Sequence, residues 1–235
     1  MTLSSAHSIY TICRDAAGIA GNIFALGLFV SPVSTFKRIN RNGSTEMFSG
    51  LPYIYALLNC LISMWYGSPL VSPDNMMVMS VNSIGAVFQL VYIIIFIVYA
   101  EEAKKVRMIG LLLAVLGIFA IVVTVSLQII NHSTRQMFVG FLSSAALISM
   151  FASPLFIIKL VIQTRSVEYM PFYLSLSTFL MSTSFSLYGL LNQDAFVYAP
   201  NGVGTILGLI QLVLYFYYKR ASVEECREPL IEPYA

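Results

Sequence analysis

Two asparagines set in apolar runs are the residues of this chain best placed to do chemistry. Asn82 opens Asn82-Ser83-Ile84-Gly85 and Asn201 opens Asn201-Gly202-Val203-Gly204, so each begins an N-x-x-G at matching places in the two halves of the chain. Burying an amide in hydrocarbon is costly unless something bonds to it. An amide carries donors and an acceptor together and suits a ligand built of hydroxyl groups, which are also both. Its other common use is a hydrogen bond from helix to helix. Four prolines are the second signal: Pro32 and Pro154 late in apolar runs, Pro52 and Pro171 early in others. A proline inside a helix removes a backbone hydrogen bond and gives either a fixed kink or a hinge. Paired recurrence favours hinges, although Pro52 and Pro171 match only to within one helical turn.

What the runs lack narrows the chemistry further. No Asp, Glu, Lys or Arg falls in the middle of any of them, so there is no carboxylate relay for protons and no charged partner for an ion. Coupled pumping is not expected. His7 and His132 lack metal-ligand spacing, and Cys13, Cys60 and Cys226 fall too far apart to make a disulfide framework. Neither a metal nor a cofactor is expected. There is no phosphate-binding loop, nucleophile elbow or zinc-protease motif, and an enzyme is not expected either.

The elements that must position these residues follow from composition. At 58% apolar, 10% charged and a mean hydropathy of +0.80, the 235 residues cannot hide their apolar side chains in one soluble core. Seven apolar stretches, near 12–36, 51–68, 76–99, 108–130, 137–162, 171–191 and 199–218, each offer about the 20 residues that cross a bilayer. Continuous rather than alternating runs select helices over a barrel, because in hydrocarbon each backbone amide needs a partner within its own segment. The N-terminus carries no basic region followed by a small-residue cleavage site, so the first helix is expected to be kept as an anchor.

The chain also contains itself twice. SPVSTFKRINRNGSTE at 31–46 returns as SPLFIIKLVIQTRSVE at 153–168, an offset of 122 that also carries Tyr66-Gly67 onto Tyr188-Gly189 and Gln89-Leu90-Val91 onto Gln211-Leu212-Val213. Four crossings separate Pro32 from Pro154, and an even number returns the chain to the same direction, so the copies lie parallel. The expected fold is an all-α membrane protein of seven transmembrane helices: a three-helix repeat over 1–100, a linker helix over 101–132, a second three-helix repeat over 133–220 and a disordered tail over 221–235. Lys and Arg are asymmetric across the spans. The 1–2, 3–4 and 5–6 loops and the tail hold eleven of them, and only Arg14 and Arg135 lie on the other side. This places the N-terminus outside or in a lumen and the C-terminus in the cytosol. On that topology the sequon at Asn131 is luminal and can carry a glycan, whereas the one at Asn42 cannot.

SPVSTFKRI with STEMFSGLPY, LLNCLISMWYG, ASPLFIIKLV with SVEYMPFYLSL, and PNGVGTILGLIQLVLY resemble the signature blocks of the SWEET sugar transporters, within the PQ-loop superfamily, over residues 18–218. That family is a standing example of parallel repeats. The resemblance implies facilitated diffusion of a mono- or disaccharide by alternating access. It implies that Asn82 and Asn201 line the sugar site, that Ser63 and Phe185, matched at the 122 offset, close it above and below, and that the four prolines form a cytosolic gate. Tyr66 and Asp194 are similar to the family's outer gate, a solvated loop carboxylate being the other reading of Asp194. The family often has Trp where this chain has Phe185. A ring of that size facing Ser63 favours a glucose-like monosaccharide over sucrose.

The rival reading, a seven-helix receptor, lacks support from the duplication and from receptor motifs, which are missing; a continuously open pore is the third. The tail sequence EECREPLIEP is similar to an acidic-dileucine sorting signal with one residue too many, which favours the vacuolar membrane over the plasma membrane. The expected partners are a small sugar, the lipid bilayer and further copies of the chain as a homo-oligomer, with no nucleic acid.

Overall fold

The computed structural model describes residues 3–225, with side-chain surroundings for 8–220. Its elements are α1 (Leu3–Val30), α2 (Val33–Asn42), α3 (Leu51–Tyr66), α4 (Met76–Tyr99), α5 (Glu102–Gln128), α6 (His132–Met150), α7 (Ala152–Thr164), α8 (Phe172–Leu191) and α9 (Ala195–Glu225). Two spans are therefore broken helices. The first breaks at Ser31-Pro32 between α1 and α2, and its counterpart breaks at Phe151 between α6 and α7. Proline explains both. Pro32 and Pro154 bring no N–H to the turn before them; the first break falls at Pro32 itself and the second three residues before Pro154.

Counting α1–α2 and α6–α7 as single segments, six segments are long and apolar enough to cross a bilayer. The second expected span falls short. α3 has 16 residues, or about 24 Å of helix against a hydrocarbon core of roughly 30 Å. It stops at Gly67, and the irregular backbone beyond it is tolerated because it is buried in protein: Ser68, Val71, Ser72 and Asn75 are all buried. The expected tail also begins late, since α9 continues to Glu225, and the rest of the tail, with its sorting-signal resemblance, lies outside the described residues, as do Cys226 and the surroundings of His7.

The order of helices within a repeat is not the order along the chain. α4 packs between α1–α2 and α3, and α9 packs between α6–α7 and α8, so the third helix of each repeat occupies the middle. Gly85 and Gly204, the glycines that close the two N-x-x-G motifs, show why those helices can sit there. A Cβ on Gly85 would meet the Phe29 ring at 2.7 Å and the Cys60 sulfur at 2.8 Å. One on Gly204 would meet Ser182 Oγ at 2.6 Å and the Phe151 ring at 3.1 Å. Each glycine thus lets a central helix approach both of its neighbours.

The repeats meet along α1 against α8 and α3 against α6, while α5 lies chiefly on α3, with lesser contacts to α4 and α6. At the end carrying most of the Lys and Arg, here the basic end, α2 and α7 form two arms whose substantial contacts, among the described residues, are with helices of their own repeat. α2 is fastened by Phe36, which stacks on Tyr92 of α4 with centroids 4.5 Å apart and meets Tyr53 of α3 edge-on at 5.0 Å. Tyr92 donates its hydroxyl to the Phe29 carbonyl at 2.6 Å, supplying a partner beside the break. The arm ends at Gly43, with φ +62°; its counterpart α7 ends at Arg165, held at φ +51°. After α2, Arg38 grips both Glu46 carboxylate oxygens at 3.1 and 2.5 Å, and Asn42 adds a third bond at 2.6 Å. These bonds, Arg38's first, hold the Glu46 carboxyl below the usual range.

Candidate functional site

A cavity of about 290 Å³ lies where the two repeats face one another. Ser63 of α3, Asn82 of α4, Phe185 of α8 and Asn201 of α9 all line it, so residues scattered over 139 positions of sequence meet in one chamber. Its volume is at the lower edge of the roughly 300–1,000 Å³ typical of small-molecule sites. The walls are mostly apolar, with Leu28, Phe29, Val81, Leu147 and Met150 among them.

The two asparagines are set identically. Asn82 Nδ2 donates to the Val78 carbonyl and Asn201 Nδ2 to the Val197 carbonyl, each at 2.8 Å and four residues back on its own helix. Among the described residues neither amide bonds another helix, the use that was the alternative to a ligand. Each amide NH2 is engaged on its own helix, and each side-chain oxygen remains as an acceptor at the cavity. Asn201 follows Pro200, which lies inside α9. Pro200 has no N–H to give the Phe196 carbonyl; Ser144 of α6 donates its hydroxyl to that carbonyl instead, at 3.1 Å. The ladder is thus repaired from a neighbouring helix, one residue before the asparagine.

Ser63 shares a hydrogen bond of 2.9 Å with Ser143 of α6, across the interface between the repeats. Phe185 is 5% exposed and packs tightly: a Cβ on Gly21 of α1 would meet its ring at 2.7 Å, and Tyr188 lies edge-on with centroids 6.3 Å away. The ring is therefore anchored in the core while it borders the chamber.

A polar network joins the two repeats beside one end of the chamber. Tyr66 of α3, which also lines the cavity, donates its hydroxyl to Asp194 Oδ2 at 2.5 Å, and Asn75 donates to the same oxygen at 2.6 Å. Asp194 Oδ1 accepts from the Phe196 N–H at 2.9 Å, capping the N-terminus of α9 where the helix dipole favours a negative charge. Asp194 is only 7% exposed, which corrects the reading of it as a solvated loop carboxylate. A buried carboxylate must be bonded on both oxygens, and the three donors do this. Tyr188 and Asn192 of the second repeat add bonds to the Asp74 carbonyl at 2.7 and 2.8 Å, and Asn192 donates to Asn75 Oδ1 at 2.9 Å. Nearer the basic end, Tyr55 and Ser149 make a second hydroxyl contact between α3 and α6.

The prolines divide into two kinds. Pro32 and Pro154 accompany the breaks. Pro52 stands in the first turn of α3 and Pro171 is the N-cap of α8. A proline there forfeits no helical bond. Any part they take in a gate therefore cannot come from a weakened ladder. Sequence reasoning missed Asn59, Gln89, Ser143 and Pro200. The repeated Gln-Leu-Val around Gln89 was the one visible sign of any of them.

Two parallel three-helix repeats joined by the linker helix α5, with a chamber between them, define a transporter of the parallel-repeat class. The family profile described as a sugar efflux transporter for intercellular exchange matches residues 15–104 and 137–222, one block per repeat. The bidirectional sugar transporter SWEET2 of Arabidopsis thaliana is 63% identical over 225 residues, covering 95% of both chains. SWEET2a of Sorghum bicolor is 62% identical over 220 residues, covering 94% of this chain and 90% of its own. A solved structure of a eukaryotic SWEET transporter is 58% identical and superposes with a TM-score of 0.89 over 90% of this chain and 99% of that one. The chain belongs to the SWEET family.

Proposed function

We propose that this protein is a facilitative, bidirectional sugar uniporter that carries a glucose-like monosaccharide by alternating access between its two repeats. The observation that carries the reading is the chamber itself: two asparagines in equivalent settings offer acceptors to hydroxyls within about 290 Å³ of space, beside a core-anchored aromatic ring. The Tyr66–Asp194 bond joins the repeats at one end of the chamber, and beyond the other end the arms have no substantial contact across the repeats among the described residues. By the charge asymmetry of the loops that bond is luminal, so the state described faces the cytosol. A neutral ligand and spans without mid-membrane charge make the flux passive and indifferent to sodium and voltage. Because the family transports rather than catalyses, no enzymatic step is assigned.

The test is counterflow in proteoliposomes with a sugar panel. Preloaded glucose drives uptake of labelled glucose, uptake saturates, and Asn82→Ala or Asn201→Ala abolishes it in protein that still folds. Normal transport by both variants removes the chamber from the mechanism, and strong sucrose transport with weak glucose transport removes the substrate assignment. Glycan on Asn131 but never on Asn42 supports the orientation. The favoured vacuolar address is tested by fractionation of tagged protein.

A further inference from the structure

Two amides at the cavity wall have no partner. Asn59 of α3 and Gln89 of α4 both line the chamber, are 9% and 7% exposed, and carry side-chain oxygens that are buried without a hydrogen bond. Among the described residues their amide nitrogens make none either. A buried amide left without a partner is costly, and two in the wall of one chamber call for a use. Their neighbours show what the alternative looks like: Asn82 and Asn201 each satisfy the amide nitrogen on their own helix.

Their position supplies the use. Gln89 lies seven residues beyond Asn82, roughly 10 Å along α4, and Asn59 lies four residues before Ser63, roughly 6 Å along α3. α3 and α4 run in opposite directions, so both displacements point to the basic end. The two amides therefore both lie between the asparagine pair and the open side, Gln89 about one turn beyond Asn59 and too far from Asn82 for one hydroxyl to serve both. An amide turned about its last torsion presents donors or acceptor alike, which matches the hydroxyls of a passing sugar.

Resting on the reading of this chamber as a sugar site, we propose that Asn59 and Gln89 form a second, cytosol-side subsite that binds sugar hydroxyls as a successive station, so that one sugar moves between two polar levels rather than leaving the asparagine pair in one step. A station of this kind flattens the descent from site to exit.

The experiment uses the purified full chain with D-glucose and its monodeoxy analogues as probes, and the variants Gln89→Leu, Asn59→Leu and, as a gentler change of shape, Gln89→Met. The subsite predicts that each variant unfolds at the same or a higher temperature without sugar, because an unpaired amide has been removed. It predicts five- to tenfold weaker glucose binding and a smaller penalty for one deoxy position than the wild type shows. Variants that lose thermal stability and keep both the affinity and the deoxy pattern would overturn the subsite, making the amides structural. If wild-type protein binds glucose and Asn82→Ala abolishes it, that failure is confined to the subsite. If wild-type protein binds no sugar, the chamber reading and the subsite fall together.

Discussion

The two arms at the basic end occupy equivalent places in the repeat and are held very differently. α2 is fastened to its bundle by the Phe36–Tyr92 stack, the edge-on Tyr53 ring and the Tyr92 bond to the carbonyl beside the break. The positions matching Phe36 and Tyr92 in the second repeat are Ile158 and Leu214. Aromatic contacts in that repeat, such as Phe172 with Tyr215 and Phe216 and Phe141 with Phe196, join α8 or α6 to α9, and none among the described residues reaches α7. α7 buries Val161 alone, ends on a non-glycine residue in left-handed backbone, and Glu168, at the place of Glu46, makes no ion pair among the described residues. Both arms follow a break beside a proline, and only α2 carries the aromatic fastening. Movement at the basic end is therefore expected to fall mainly on α7.

The contrast can be broken most severely at Phe36. Phe36→Ala removes a buried ring from the centre of the fastening and is expected to cost about 3–5 kcal/mol, against about a third of that for Ile158→Ala, as read by thermal unfolding in detergent. Equal losses at the two places would mean that the arms are equally held. Next in size are the hinges. Restoring a helical N–H stiffens a break, so Pro154→Ala is expected to slow counterflow about tenfold and Pro32→Ala by less, with equilibrium glucose binding little changed in both. The reverse order would assign the motion to α2. Tyr92→Phe keeps the stack and deletes only the bond to Phe29, for a loss of about 1 kcal/mol. The smallest effect sharpens the comparison from the other side. Arg165→Gly relieves a backbone conformation that glycine adopts freely, and a gain of about 0.5–1 kcal/mol is expected, while Gly43→Arg loses a similar amount.

The repeat and its parallel sense were legible because apolar runs, prolines and matching segments survive duplication as letters. The asparagine pair was legible because an amide in hydrocarbon stands out against its neighbours. The position of α4 and α9 between their partners was not, since lipid is as apolar as another helix and a hydrophobic run does not say which of the two it faces. Asn59 was hidden inside Leu-Leu-Asn-Cys-Leu, a run read for its length, and its lack of a partner exists only in three dimensions. Pro200 looked like the start of a span. Its place inside α9, and the service Ser144 does its orphaned carbonyl, depend on how far α9 extends toward Asp194.

The central position of the third helix in each repeat has a consequence for how the protein is made. Helices enter the membrane in chain order, yet α1 and α3 share no substantial contact among the described residues until α4 comes between them. A nascent chain that has delivered only its first two spans thus holds two surfaces shaped for a helix still in the ribosome. The same wait is repeated once α8 has been inserted and α9 has not. Each repeat should therefore pass through a stage in which chaperones of the membrane, or the insertion machinery itself, must shelter an unfilled groove, and chains cut just before α4 or α9 should be cleared faster than chains cut just after.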